Sequence, residues 1–134
     1  MGQKVSPISF RLGYSRSWDS LWYANKKNYA NQLLEDVKLR RHIKTNYKQC
    51  AISAVIIERS SDKIRVNIQT ARPGVIIGRK GADIYRLRDE LIKLIGKEVQ
   101  INIREVKNPA LVAQLVSDNI ALQLERRIAF RRAM

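Results

Sequence analysis

Apolar and polar residues alternate strictly over residues 63–70: Ile64, Val66 and Ile68 fall on one side, Arg65, Asn67 and Gln69 on the other. A period of two is the strand period, so this segment predicts a strand with one buried and one wetter face. Residues 51–59, rich in Ile and Val, read as a second strand. Ser60, Ser61 and Asp62 form the turn that makes the pair an antiparallel hairpin. Residues 99–106 alternate again, with Val99, Ile101 and Ile103 set against Gln100, Asn102 and Arg104. In between, Ile84, Leu87, Leu91 and Leu94/Ile95 recur at helical spacing from about Ala82 to Ile95, and Gly96 is placed to cap that helix. Helices separate the strands 63–70 and 99–106, so the two are expected side by side and parallel.

The remaining chain fills in around this frame. A helix is expected from about Lys27 to Tyr47, with Leu33, Leu34, Val37, Leu39 and Ile43 as its apolar side. Arg72-Pro73-Gly74 breaks the strand before it, and Gly74 to Ile77 leaves room for one turn of helix. Asn108 and Pro109 fit the cap and first position of a last helix, whose stripe is Val112, Val116, Ile120, Leu124 and Ile128. No stop signal ends that helix, so it is expected to lead on toward a further domain. Residues 1–17 are polar and basic, interrupted by Pro7 and Gly13, and read as an extended arm anchored by Trp18, Trp22 and Tyr23. The fold class is therefore α+β. Its order is helix, strand, strand, short helix, loop, helix, strand, helix, around a three-stranded mixed sheet. The parts are an extended basic arm at 1–17, a domain at 18–108, and a long C-terminal helix at 109–134.

Charge narrows the partners. The formal net charge of +14, from 26 basic and 12 acidic residues, is large for 134 residues and calls for a polyanion or an anionic surface. A hydrophobic fraction of 45% supports a real core. No run of eighteen apolar residues is present, so no membrane-crossing helix and no membrane partner are expected. The start lacks the apolar stretch of a secretory signal. Met1-Gly2 with Ser6 fits the myristoylation pattern, which is too short to count against chance.

The chemistry concentrates at Gly78-Arg79-Lys80-Gly81. Two glycines bracket two cations between helical segments. Without side chains at Gly78 and Gly81 the chain can turn, and a sugar–phosphate backbone can lie against it. Arg79 and Lys80 point outward as phosphate contacts, and the amides of the following helix terminus add positive potential. A Walker loop needs four residues before its Gly-Lys-Ser/Thr, and a dinucleotide fingerprint needs a first glycine pair; both are missing. Such a GxxG loop beside a three-stranded sheet is how KH modules clamp four backbone nucleotides. RNA is thus the leading ligand. Arg72, held by Pro73, reaches the same backbone or braces the loop. Val75, Ile76 and Ile77 are assigned to packing, and Tyr85 to the helix surface.

Further cations extend the surface. Lys38, Arg40, Arg41, Lys44 and Lys48 thicken toward the end of the first helix, beyond what its dipole requires. Arg126, Arg127, Arg131 and Arg132 crowd the end of the chain, where Arg127 and Arg131 share a helical face. The RNA-binding candidates are Gly78, Arg79, Lys80, Gly81, Arg72, Lys4, Arg11, Arg40, Arg41, Arg127, Arg131 and Arg132. His42, among Arg40, Arg41 and Lys44, reads as a solvated or RNA-facing position, and Cys50 as a small buried residue. One cysteine and one histidine cannot build a metal cluster, and no nucleophile–base pair is present. No enzyme, catalytic residue, metal or cofactor is expected.

Several stretches follow one another in a familiar order: Met1-Gly-Gln-Lys-Val5 with Pro7, Phe10-Arg-Leu-Gly13, Thr70-Ala-Arg-Pro-Gly74, Ile77-Gly-Arg-Lys-Gly81, Gln123-Leu-Glu-Arg-Arg127 and Phe130-Arg-Arg-Ala-Met134. On these the chain resembles, over essentially its whole length, the family of the third protein of the bacterial small ribosomal subunit. The resemblance implies a type II KH domain with its helices on one side of the sheet. It also implies a place in the head of the small subunit, within the ribosome of the cytoplasm or of an organelle. There the arm and helices would contact the small-subunit rRNA, beside neighbouring head proteins. The family helps line the channel by which mRNA enters, and the arginines it uses to unwind messenger structure match Arg131 and Arg132. Arg79 stands where a lysine is common, which keeps the charge and adds donors. Ser6 and Ser9 depart from the family without functional consequence. The alternative is a freestanding KH protein, an assembly factor or RNA chaperone, against which the basic arm argues. A phosphate-using enzyme lacks its acid–base set. Duplex DNA reading by a helix at 110–132 lacks a polar face before Arg126.

Overall fold

A computed structural model describes residues 2–60 and 63–134, with Lys80 described by its backbone alone. In chain order the elements are α1 (Pro7–Arg11), β1 (Ser20–Leu21), α2 (Lys26–Asn46), β2 (Ile52–Ser60), β3 (Lys63–Thr70), α3 (Pro73–Ile77), α4 (Ala82–Ile95), β4 (Glu98–Glu105), α5 (Ala113–Glu125) and α6 (Phe130–Ala133). Short 3-10 turns occupy Lys48–Cys50, Arg79–Gly81 and Pro109–Leu111.

The sheet has the order β1-β2-β3-β4. β2 and β3 are antiparallel, and β3 and β4 run parallel in register from Lys63 opposite Glu98 to Thr70 opposite Glu105. Alternation decides the faces. Val55 opposite Ile68 and Ile57 opposite Val66 give an apolar patch that Leu39 and Ile43 of α2 and Leu87 and Leu91 of α4 bury. Gly96, in the left-handed region at φ 73°, ends α4 as expected. Of the residues expected to form the turn, Ser60 ends β2, and Ser61 and Asp62 lie outside the described residues, as Met1 does. Among the described residues no helix is long and apolar enough to cross a membrane.

Five expectations need correction. The three-stranded sheet gains a fourth, two-residue strand: β1 lies parallel to β2, and the Ile57 amide donates to the Asp19 carbonyl at 2.9 Å. The arm at 1–17 is not extended throughout, since Pro7 at the first turn starts the short helix α1. The wetter face of β3 includes a buried residue, Asn67. Its amide donates to Glu58 at 2.6 Å and its carbonyl oxygen accepts from Asn102 at 3.1 Å, so it is fully paired.

The apolar side of α2 is the fourth. Leu39 and Ile43 are buried, but Leu33, Leu34 and Val37 are exposed and Asp36 is fully buried in their place. The helix is rotated so that Asp36, Leu39, Arg40 and Ile43 form the inward stripe, because partners for Asp36 wait on β1 and β2. The fifth is the single last helix at 109–134. Pro109 opens only a 3-10 turn, Val112 precedes α5, and α5 closes after Glu125. The Ile128 amide donates to Gln123 O at 3.1 Å and the Arg127 amide to Leu124 O at 2.9 Å. That is the Schellman pattern of helix closure, with Arg127 at φ 60° in the place glycine usually holds. Arg127 and Arg131 therefore share no helix face.

Candidate nucleic-acid interface

The loop is built from the end of β3. Thr70, fully buried, donates its hydroxyl to Cys50 O at 2.5 Å and accepts the Arg72 amide at 3.0 Å, which fixes where the strand turns away. Pro73 sets the first turn of α3, and buried Ile76 pins that turn to the core while Val75 and Ile77 face outward. Gly78, at φ 69°, stops α3 as its amide donates to Gly74 O at 3.0 Å. Arg79 and Lys80 fill the turn, and Gly81, at φ 81°, opens α4. Both glycines sit where an L side chain is strained.

Close packing adds a second requirement at one of them. A Cβ on Gly78 would lie 1.9 Å from Asp83 Oδ2 and 2.8 Å from Asp83 Cβ. At Gly81 a Cβ would meet only ordinary contacts, with the Tyr85 ring at 3.5 Å. Asp83 thus folds back over Gly78 from the first turn of α4. Its carboxylate complements the positive helix end, so the terminus lends incoming phosphate less potential than its amides alone would. Arg79, at the first position of the turn, is exposed, and Lys80 stands at its centre.

Beside the loop lies a cleft of about 380 Å³ between α4 and the edge strand β4. Lys63, Ile84, Tyr85, Arg88, Glu98, Gln100 and Ile101 line it. It combines an apolar floor, one aromatic ring, an amide and the cation Arg88 with a Lys63–Glu98 ion pair at 3.9 Å, a set able to hold a nucleobase, with Arg88 as the cation not engaged by Glu98. Sequence reasoning found the loop and missed this wall. The available signal was spacing: Arg88 follows Ile84 and Tyr85 by one helical turn and so faces the same way.

The remaining candidates scatter. Arg72 is exposed at the N-cap of α3, next to the loop. Lys4 and Arg11 are exposed on the arm, where Arg11 Nη1 donates to Pro7 O at 3.0 Å. Arg41 is exposed on α2. Arg127, Arg131 and Arg132 are exposed in the final segment, with the Arg131 guanidinium 5.9 Å from the Phe130 ring centre. Arg40 is half-buried and held within the fold. It donates to Asp19 O at 2.8 Å, Ser20 Oγ at 2.6 Å and Val55 O at 3.4 Å, so its charge braces β1 and β2.

His42 is a correction: it is half-buried between helices, with Nε2 3.1 Å from Glu90 of α4. Cys50 is buried as expected, and burial pushes its thiol above the ordinary value. Among the described residues no group of three His, Cys, Asp or Glu side chains is placed to hold a metal ion.

The feature that sequence reasoning passed over is the polar knot at the root of the arm. Asp36 Oδ2 accepts from Trp22 Nε1 at 2.7 Å and Ser20 Oγ at 3.0 Å. Asp36 Oδ1 accepts from Arg59 Nε at 3.0 Å and from its Nη2. Arg59 also donates to Glu35, which Lys97 holds from the other side. Burial pushes the Glu35 carboxyl up, but hydrogen bonds from Arg59 and Lys97 outweigh it and hold the group below its ordinary value of 4.5.

Comparison with known proteins gives this arrangement relatives. The KH domain family profile matches residues 38–111, which covers β2, β3, the loop and β4. The chain is 58% identical over 134 residues to a small ribosomal subunit protein uS3 of Geobacter metallireducens. It is 54% identical to the uS3 of Desulforudis audaxviator and 53% identical to that of Desulforamulus reducens. Each match takes in 100% of this chain but 63%, 62% and 61% of the respective relative. The chain thus spans less than two thirds of the length of these proteins.

Proposed function

The chain belongs to the KH domain family, and from that premise we propose that it is a uS3-type protein of the small ribosomal subunit and binds small-subunit rRNA as a non-catalytic part of the subunit head. In this reading it works in the cytoplasmic ribosome of a bacterium and contributes to the channel by which mRNA enters. The observation that carries it is the loop itself: two glycines at positive φ flank Arg79 and Lys80 next to a cleft floored by α4 and edged by β4. Backbone contact without side-chain obstruction is what a polyphosphate chain requires.

The division of labour follows from placement. Gly78 and Gly81 give close approach, while Arg79, Lys80 and Arg72 supply charge at the loop. Lys4 and Arg11 on the arm and Arg41 on α2 extend the electrostatic surface. Arg131 and Arg132 are assigned to the messenger path, Arg127 adds to the RNA-binding surface, and other head proteins are the expected neighbours. Arg40 is the weakest member of the set, because its Nε and Nη2 donate inside the fold. The units are the arm at 1–17, the KH domain at 18–108 and the terminal segment at 109–134.

The test is the salt dependence of binding to a head-domain fragment of the small-subunit RNA, comparing the chain with an Arg79→Asp, Lys80→Asp double variant. Two lost contacts to a single-stranded backbone should flatten the log–log salt slope by about 1.4 and weaken binding at low salt. Unchanged affinity and slope in a folded variant would remove the loop from the interface. Co-sedimentation with small subunits distinguishes a ribosomal constituent from a freestanding assembly factor.

A further inference from the structure

The arm carries a built feature that neither the loop nor the cleft uses. Residues 11–16 close on themselves. The Arg11 carbonyl accepts the amides of Tyr14, Ser15 and Arg16 at 3.3, 3.1 and 3.1 Å, and the Gly13 amide donates to Arg16 O at 3.0 Å. Gly13 takes φ 82°, which lets the chain reverse here without strain. At the tip stands Tyr14, 96% exposed. Arg11 and Arg16 flank it, both exposed, at the two ends of the closed turn.

Large apolar groups displayed singly on a surface need no explanation, but this one is not single. Phe10 and Trp18 on either side are also mostly exposed. Residues 2–18 hold Lys4, Arg11 and Arg16 and no acid. Aromatic rings interleaved with cations along the arm, with Asp19 the first acid to follow, repel basic proteins and attract a polyanion whose units have flat faces. That is the chemistry of unpaired nucleotides: bases stack on rings while phosphates meet guanidinium groups. The hydrogen-bonded turn holds the ring out before any partner arrives, so little ordering cost remains to be met on binding.

We propose that Tyr14 is a stacking platform for an unpaired RNA base, with Arg11 and Arg16 contacting the phosphates on either side. It rests on the RNA-binding reading above and adds to it a second, base-directed contact on the arm. Arg11 keeps donors for this role, since only Nη1 is drawn back to Pro7 O.

The test uses the full chain, a head-domain fragment of the small-subunit RNA, and the variants Tyr14→Ala and Tyr14→Phe. Because Tyr14 buries almost nothing, both variants should melt like the parent. Loss of one stacked base weakens binding by about 5- to 150-fold. Tyr14→Ala should show such a fall with an unchanged salt slope, because stacking releases no counterions. Tyr14→Phe should bind like the parent. A fluorescent adenine analogue placed at the unpaired positions should be quenched by the parent and by Tyr14→Phe, and not by Tyr14→Ala.

Parent-like binding and quenching by Tyr14→Ala would overturn the proposal. So would equal losses in both variants, which would assign the hydroxyl rather than the ring. Weakened incorporation into subunits with RNA binding untouched would also overturn it, by making the tip a protein contact. The Arg79→Asp, Lys80→Asp variant run in parallel keeps the two readings apart. A loop effect without a Tyr14 effect sinks only this proposal, and a chain that shows no salt-dependent RNA binding sinks both.

Discussion

Arg59 sets two of its guanidinium nitrogens on one carboxylate oxygen of Asp36, in a site where Asp36 is fully buried and the Arg59 side chain only 7% exposed. The pair links β2 to α2, and Trp22 lies beneath the guanidinium with its ring centre 5.8 Å away. Every polar atom is satisfied, which is the condition under which a buried ion pair is tolerated.

Removing one partner leaves the other charged and dry. Asp36→Ala should therefore destabilise the protein by about 3–5 kcal/mol. Trp22 should also shift its emission toward the red before the body unfolds, because its indole N–H loses its acceptor. Urea denaturation followed by tryptophan fluorescence measures both. A loss below about 1 kcal/mol would show that the pair contributes no more than a surface salt bridge.

Glu35 gives the knot an acid limit. Its folded value lies below 4.5, so the folded protein keeps this charge to lower pH than the unfolded chain does. The stabilisation is complete above the unfolded value and is lost as pH falls through the folded one. Glu35→Gln should accordingly be less stable than the parent at neutral pH, with the gap closing below about pH 4.5. Thermal melts across that range would detect a gap that fails to close.

The two loop glycines should not be equivalent. Gly81→Ala faces only the left-handed backbone and should cost about 1–2 kcal/mol. Gly78→Ala adds a collision with Asp83, including its Cβ, and should cost more. Combining it with Asp83→Ala should recover part of the loss, which a double-mutant cycle resolves as coupling between the two positions. Equal effects at Gly78 and Gly81 would contradict the packing described.

Arg127 invites the opposite experiment. An arginine at φ 60° carries the strain that glycine avoids, so Arg127→Gly should stabilise the isolated protein by about 1 kcal/mol. A rise in melting temperature is the readout, and a fall would mean that the arginine side chain holds the turn.

Legibility followed the reach of the signal. β3 and α4 fall on the residues expected, because strict periods of two and of 3.6 are local and nothing distant competes with them. The loop was legible for the same reason: glycines with fixed spacing between two regular elements. α2 was read on the wrong face because the residue that turns it, Asp36, is satisfied by Arg59, 23 positions away. Arg40 and Arg41 are indistinguishable as letters, yet one braces a strand and the other meets solvent. The break at Arg127 interrupts a run of good helix formers, so no composition shift announces it. The cleft wall escaped because it joins α4 to a strand that lies across from it in space.

The partners of Asp36 arrive at different times along a growing chain. Trp22 and Ser20 precede it, whereas the cation that neutralises it belongs to β2 and is made later. Until Arg59 is available, drawing Asp36 out of water is strongly unfavourable. α2 can form early as an isolated helix, but its inward stripe has no stable seat until the hairpin strand is present. The seating of α2, and with it the root of the arm at Ser20 and Trp22, thus depends on a strand that follows both in the chain.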